Sequence, residues 1–118
     1  MKEGNNPLGN IYVSYRAIST VAYQSALQSY GVVGLAAKNL AEGLAQVLVK
    51  DPALGVDVHF DGKAILIDLY VIVEYGTRIK SVAGSVSDNV RYQVEKVFGM
   101  QVSQVNVHVR GLRISNMD

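Results

Sequence analysis

The chain has 118 residues, with 11 lysines and arginines against 10 aspartates and glutamates, for a formal net charge of +1. This balance produces no overall field that would draw the chain to nucleic acid or to an anionic membrane. The chain has no cysteine, which excludes thiol catalysis, disulfides and thiolate metal sites. Its length predicts one domain over residues 1–118, with frayed ends at 1–8 and 114–118.

Residues 17–37 carry no charge and have to be weighed as a membrane span. A spanning helix requires about 20 predominantly apolar residues. This segment instead has serine, threonine and glutamine spread along it and two glycines near its end, so we interpret it as amphipathic. The first eight residues lack the apolar core of a signal peptide. We therefore expect a cytoplasmic protein with no direct membrane span.

The first third of the chain predicts an edge strand followed by a helix. Residues 9–14 alternate as a short strand does, and Ser14 is placed to cap a helix that runs to about Tyr30. Residues 32–37 form either a short strand or an irregular segment.

The middle of the chain predicts a short helix and a hairpin. Asn39 is placed to cap a helix over residues 40–49, and we expect Asp51-Pro52 to end it, because the residue before a proline avoids the helical region. Residues 55–60 alternate as a strand, and Asp61-Gly62 is a hairpin signal that pairs this strand with the next one.

The central unit is a long strand that leads into a long helix. Residues 64–75 alternate over their whole length and are rich in β-branched side chains. Gly76 breaks this strand, and Thr77 is placed to cap a helix that begins at Arg78 and ends at Gly99. The apolar stripe predicted for this helix is Ile79, Val82, Val86, Val90, Val94 and Val97.

A last strand begins near Val102, with three valines on one face and polar residues on the other. These elements predict an α+β fold, a two-layer sandwich in which a mixed sheet carries two long helices on one face, with an extra short helix. The nearest named topology is the ferredoxin-like, split βαβ arrangement with right-handed crossovers.

The sheet face away from the long helices is where we expect a partner to bind. The residues predicted to lie on this face are Asp57, His59, Leu66, Asp68, Tyr70, Ile72, Glu74, Asn106, His108 and Arg110. An exposed apolar strip on a sheet marks a partner site, and tyrosine is favoured at interfaces. The candidate partner interface is Leu66, Tyr70, Ile72, His59, His108 and Arg110. The open alternative is that the helix over residues 40–49 covers this face.

Three other functions fit the sequence less well. His59, His108 and an aspartate are suitable metal ligands, but their spacing is neither helical nor that of a tight turn, so we predict no metal and no cofactor. Gly31-Val-Val-Gly34 resembles the GxxG loop of KH domains in position, but its centre is apolar, and a helix end followed by a buried strand explains the glycines better. We find no catalytic set and expect neither an enzyme nor a small-molecule substrate.

Several segments together resemble the alkaline shock protein family of Gram-positive and related bacteria. The most specific are Val-Glu-Tyr-Gly-Thr at 73–77, before a helix, and Val-Asn-Val-His-Val-Arg-Gly at 105–111. The segments at 9–14, 30–35 and 55–58 also match the family, in the same order along the chain. The resemblance therefore covers residues 9–114. The chain lacks charged, low-complexity extensions and is more similar to the short, single-domain branch.

The resemblance implies a non-enzymatic cytoplasmic protein linked to cell-envelope stress or homeostasis. Members of the family self-assemble in some cases and are held at the membrane by a small membrane-anchored partner in others. The short branch is often encoded beside a fatty-acid-kinase-type protein. We therefore expect a scaffold module that binds a protein partner and itself. A KH-like nucleic-acid domain and an accessory protein of a fatty-acid-kinase-type system are the alternatives left open.

Overall fold

The structure is a computed structural model that describes residues 14–38 and 48–114. The helices and strands in chain order are α1 (Tyr15–Leu27), β1 (Val32–Ala36), β2 (Leu48–Val49), α2 (Pro52–Gly55), β3 (Val56–Phe60), β4 (Ile65–Glu74), α3 (Ile79–Phe98) and β5 (Val102–Arg113). None of the helices within the described residues has both the length and the apolar character of a membrane span.

The sheet is built around β4. This strand pairs with β5 in parallel over its whole length, and it pairs antiparallel with β3 in its first half and with β1 in its second half. Because β5 occupies one edge of β4, β1 and β3 lie end to end along the other edge, and β2 pairs with β1. The predicted α+β fold with a mixed sheet is confirmed. The two parallel strands are direct neighbours, with no strand between them.

Both long helices pack on one face of this sheet, as predicted. The alternate residues of β4 that face them are all buried, and so is the central stripe of α3: Val82, Val86, Val90 and Val94. The stripe is shorter than predicted, because Ile79 and Val97 are exposed. These two residues lie in the first and last turns of α3, so the contact with the sheet is limited to the middle of the helix.

The helix ends differ from the sequence predictions at two places. Ser14 caps α1 as predicted, since its Oγ accepts a hydrogen bond of 3.0 Å from the amide of Ala17, but α1 ends at Leu27 instead of near Tyr30. The predicted cap at Thr77 is wrong. The Thr77 hydroxyl donates to the carbonyl of Glu74 at 2.7 Å, and the residue at the cap position is Arg78, whose side chain makes no capping bond.

The short helix predicted over residues 40–49 needs correction at its end. Residues 40–47 and the predicted strand at 9–13 lie outside the described residues, but Leu48–Val49 form strand β2. Asp51-Pro52 begins a helix instead of ending one, because the Asp51 carboxylate accepts a hydrogen bond from the amide of Ala53 and proline occupies the first turn of α2.

Candidate functional site

The sheet face opposite α1 and α3, which we call the second face, carries polar and aromatic side chains from three strands. The β3–β4 register sets Asp57 opposite Asp68 and His59 opposite Leu66. The β4–β5 register sets Asp68 beside Asn106 and Tyr70 beside His108. The structure therefore places the predicted interface residues of β3, β4 and β5 on the same face of the sheet.

An aromatic and cationic stack crosses from β4 to β5. The rings of Tyr70 and His108 are stacked, with centroids 4.7 Å apart and an angle of 12° between their planes. The guanidinium carbon of Arg110 lies 4.8 Å from the centroid of the Tyr70 ring, within the range of a cation–π contact. Tyr70 is thus held by two neighbours in a fixed orientation while it remains partly exposed.

The environment of Tyr70 keeps its hydroxyl protonated. Burial raises the pKa of Tyr70 above its ordinary value, and the negative charges of Asp68 and Asp57 raise it further, while Arg110 acts in the opposite direction. Since an unperturbed tyrosine already has a pKa of about 10, the hydroxyl stays neutral near pH 7. It is therefore available as a hydrogen-bond donor to a bound molecule.

Two acidic centres lie next to this stack. The Oδ1 atom of Asp68 accepts a hydrogen bond of 3.1 Å from Asn106 Nδ2 and lies 3.0 Å from His108 Nε2. Because His108 contacts both Tyr70 and Asp68, the aromatic stack and the Asp68 carboxylate form one connected set of contacts.

The second acidic centre is Asp57 on β3. Its carboxylate lies 3.3 Å from Lys38 Nζ and 3.2 Å from His59 Nε2. Lys38 is not among the residues that the sequence predicts for this surface. Its position depends on β1 and β3 lying end to end beside β4, and no feature of the sequence shows that arrangement.

Ile72 does not belong to the exposed surface. It was predicted as an interface residue, but its exposed fraction is 0%. Its cross-strand partner on β1 is Gly34, and a Cβ atom at Gly34 would lie 2.9 Å from Cδ2 of Leu48. Leu48 therefore packs against the β1 backbone at the end of the sheet where Ile72 lies. The exposed part of the candidate interface is reduced to Leu66, Tyr70, His59, His108 and Arg110.

The Gly31–Gly34 segment joins a helix to a strand. Gly34 is within β1 and is buried, and Gly31 adopts a φ of +89°, which favours glycine. A Cβ atom at Gly31 would lie 2.5 Å from Cγ2 of Val82 in α3. This is the helix end and buried strand that the sequence favoured over a KH-like loop.

The fold and this surface define a class, that of small α+β domains with helices on one sheet face and a polar, aromatic second face. The chain belongs to the alkaline shock protein 23 family, described as having a cell envelope-related function, and the family match spans residues 3–114. The predicted family membership is confirmed.

Two bacterial relatives match nearly the whole chain. YloU of Bacillus subtilis strain 168, an uncharacterised protein, is 42% identical over 110 residues, which is 92% of each chain. An uncharacterised protein of Streptococcus pyogenes serotype M6 is 31% identical over 112 residues, which is 93% of each chain.

The chain is also similar in fold to solved structures of MamM CTD variants. One matches with a TM-score of 0.51 at 13% identity and covers 83% of this chain and 98% of that one. Another, described as a zinc form, matches with a TM-score of 0.51 at 13% identity and covers 86% of this chain and 89% of that one. At this identity the likeness shows a shared fold.

Proposed function

We propose that the chain is a non-catalytic interaction module that acts in cell-envelope homeostasis and binds a protein partner through its second face. The family has a cell envelope-related function, and the proposal adds the surface through which that function is exerted. It also adds a cytoplasmic location, with membrane association through the partner.

The observation that carries the proposal is the packing of Tyr70. A tyrosine stacked on a histidine and contacted by a guanidinium loses little side-chain freedom when a partner binds, because its orientation is already fixed. Tyrosine and arginine are also the residue types that contribute most often to binding energy at protein interfaces. Leu66 extends this surface along the same face of β4 with apolar area.

The charges on this face indicate what the partner offers. Arg110 and Lys38 supply two permanent positive charges, and Asp57 and Asp68 are already engaged by Lys38, the two histidines and Asn106. A partner that approaches Tyr70 therefore meets the positive charge of Arg110, whose guanidinium lies over the Tyr70 ring. We expect a protein segment that places a carboxylate beside an aromatic or aliphatic side chain.

The test compares two tyrosine substitutions of the same kind. Tyr70→Glu places a charge in the middle of the second face, whereas Tyr92→Glu places the same charge on the exposed side of α3. Each variant and the unchanged chain are expressed in cells as bait, and captured proteins are quantified. Circular dichroism and thermal unfolding establish that both variants are folded.

We expect Tyr70→Glu to lose the captured partner and Tyr92→Glu to retain it. The same two variants, examined by sedimentation velocity, report whether the second face also mediates self-association. If Tyr70→Glu is folded and captures the same proteins as the unchanged chain, the second face is not the interface.

A further inference from the structure

Two carboxylates face each other at the centre of the second face. Asp57 and Asp68 are direct cross-strand partners in the antiparallel β3–β4 pair, where Cβ atoms lie about 5 Å apart and like charges destabilise the sheet. Asp57 forms an ion pair with the Lys38 ammonium at 3.3 Å, whereas the polar partners of Asp68 among the described residues are His108 and Asn106. Neither of these is a permanent cation, so the Asp68 carboxylate is still able to attract one.

A histidine converges on the same point. Asp57, His59 and Asp68 each offer one ligand atom, and these three atoms all lie within 4.8 Å of one another. An ion bound about 2.1 Å from each ligand atom requires separations of about 4 Å or less. A side-chain rotation that moves these atoms by less than about 1 Å, chiefly at the exposed His59, therefore completes the geometry.

The carboxylate of Asp68 is already oriented for this role. His108 and Asn106 both contact its Oδ1 atom, as polar neighbours do for carboxylates that bind metals. The His59 side chain is 57% exposed, which leaves room for water to occupy a fourth position. Spacing along the chain predicts no metal site, but the β3–β4 register brings together ligands that lie apart in the sequence.

We propose that Asp57, His59 and Asp68 form a binding site for a divalent transition-metal ion, with Zn²⁺ as the ion that this set of ligands fits best. Imidazole nitrogen with carboxylate oxygen suits Zn²⁺, whereas Mg²⁺ prefers an all-oxygen octahedral site. His108 acts as a positioning residue through Asp68. The bound ion would tie β3 to β4 through Asp68, two residues from Tyr70 on the same strand. Binding of the ion can be measured whether or not the second face also binds a partner.

The experiment is a titration of the tag-free chain, first stripped with EDTA, by isothermal titration calorimetry with Zn²⁺ alone. We expect one ion per chain and a rise in the thermal midpoint on addition of Zn²⁺. His59→Ala and Asp68→Asn are each expected to weaken Zn²⁺ binding at least tenfold. Asp88→Asn, which removes an exposed carboxylate on α3, is the matched control and is expected to bind as the unchanged chain does.

Two further measurements distinguish metal binding at this site from nonspecific attraction of cations to the protein surface. Co²⁺ in place of Zn²⁺ is expected to give visible absorption bands that His59→Ala abolishes and that excess Mg²⁺ leaves in place. His108→Gln is expected to retain the one-to-one stoichiometry with weaker affinity. The proposal is overturned if the stripped chain binds no Zn²⁺, or if His59→Ala and Asp68→Asn remain folded by circular dichroism and bind Zn²⁺ as Asp88→Asn does.

Discussion

Replacing Gly31 by alanine tests whether the turn after α1 is a packed structural element. Gly31 has a φ of +89°, and an added Cβ would lie 2.5 Å from Cγ2 and 3.3 Å from Cγ1 of Val82. Carbon atoms in contact are normally about 3.5–4.0 Å apart. Val82 is buried in the core with an exposed fraction of 2%, so its side chain has little room to move away.

The expected cost has two parts. A residue with a Cβ at positive φ costs about 1–2 kcal/mol, and forcing an extra methyl group into a packed core costs about 1–3 kcal/mol. Together they predict a loss of about 2–5 kcal/mol from the free energy of unfolding. This is a large share of the roughly 5–15 kcal/mol that a domain of this kind has.

Urea unfolding followed by circular dichroism measures this loss, and Gly76→Ala is the matched control. Gly76 has a φ of +95° but no atom within 4 Å of an added Cβ, so it reports the backbone cost alone, about 1–2 kcal/mol. The difference between the two variants is the packing cost against Val82. A Gly31→Ala variant that is no less stable than Gly76→Ala would refute the described packing. A stable variant that loses salt-dependent binding of single-stranded RNA would favour the KH-like alternative.

Three further predictions follow from the core and the turns. Val90→Ala removes buried methyl groups from the middle of α3, where the exposed fraction is 0%, and is expected to cost about 2 kcal/mol in urea unfolding, whereas Val97→Ala at the exposed end of the helix should cost far less. Ser14→Ala removes the α1 cap and is expected to cost about 1 kcal/mol, with a correspondingly lower thermal midpoint. The amides of Ala64 and Lys63 donate to the Asp61 carboxylate and lower its pKa. A lowered folded-state pKa contributes stability that is present above the unfolded pKa of about 3.9 and is lost as the pH falls through the folded value. The stability difference between the unchanged chain and Asp61→Asn, measured in EDTA, should therefore shrink as the pH falls below about 4; a constant difference would contradict this.

The periodic elements could be read from the sequence because burial on one side imposes a pattern. The alternation of residues 64–75 and the valine stripe of residues 82–94 both follow from the burial of one side of β4 and of α3 in the same hydrophobic core. The pattern does not mark where a helix starts. Asp51-Pro52 fits the end of one helix and the beginning of another equally well, and only the Asp51 side-chain bond to Ala53 shows which is present.

The site could be predicted as a face but not as a set of contacts. A two-residue turn at Asp61-Gly62 would have set Asp57 opposite Leu66. The observed loop extends to Ala64, and the pairing moves by two residues, so that Asp57 faces Asp68. A shift of two leaves every side chain on its predicted face and changes its neighbours. The burial of Ile72 could not be predicted either, because it depends on a contact between distant segments. Leu48 packs against the β1 backbone at the end of the sheet where Ile72 lies.

In-cell photo-crosslinking tests the central claim, that the second face binds a partner protein, most directly. A photoreactive residue is placed at Leu66, on the second face, and in a second strain at Tyr92, on the exposed side of α3. Irradiation is expected to give a discrete protein adduct from position 66 and none of that mass from position 92. Adducts of the same mass from both positions, or from position 92 alone, would contradict the assignment of the interface to the second face.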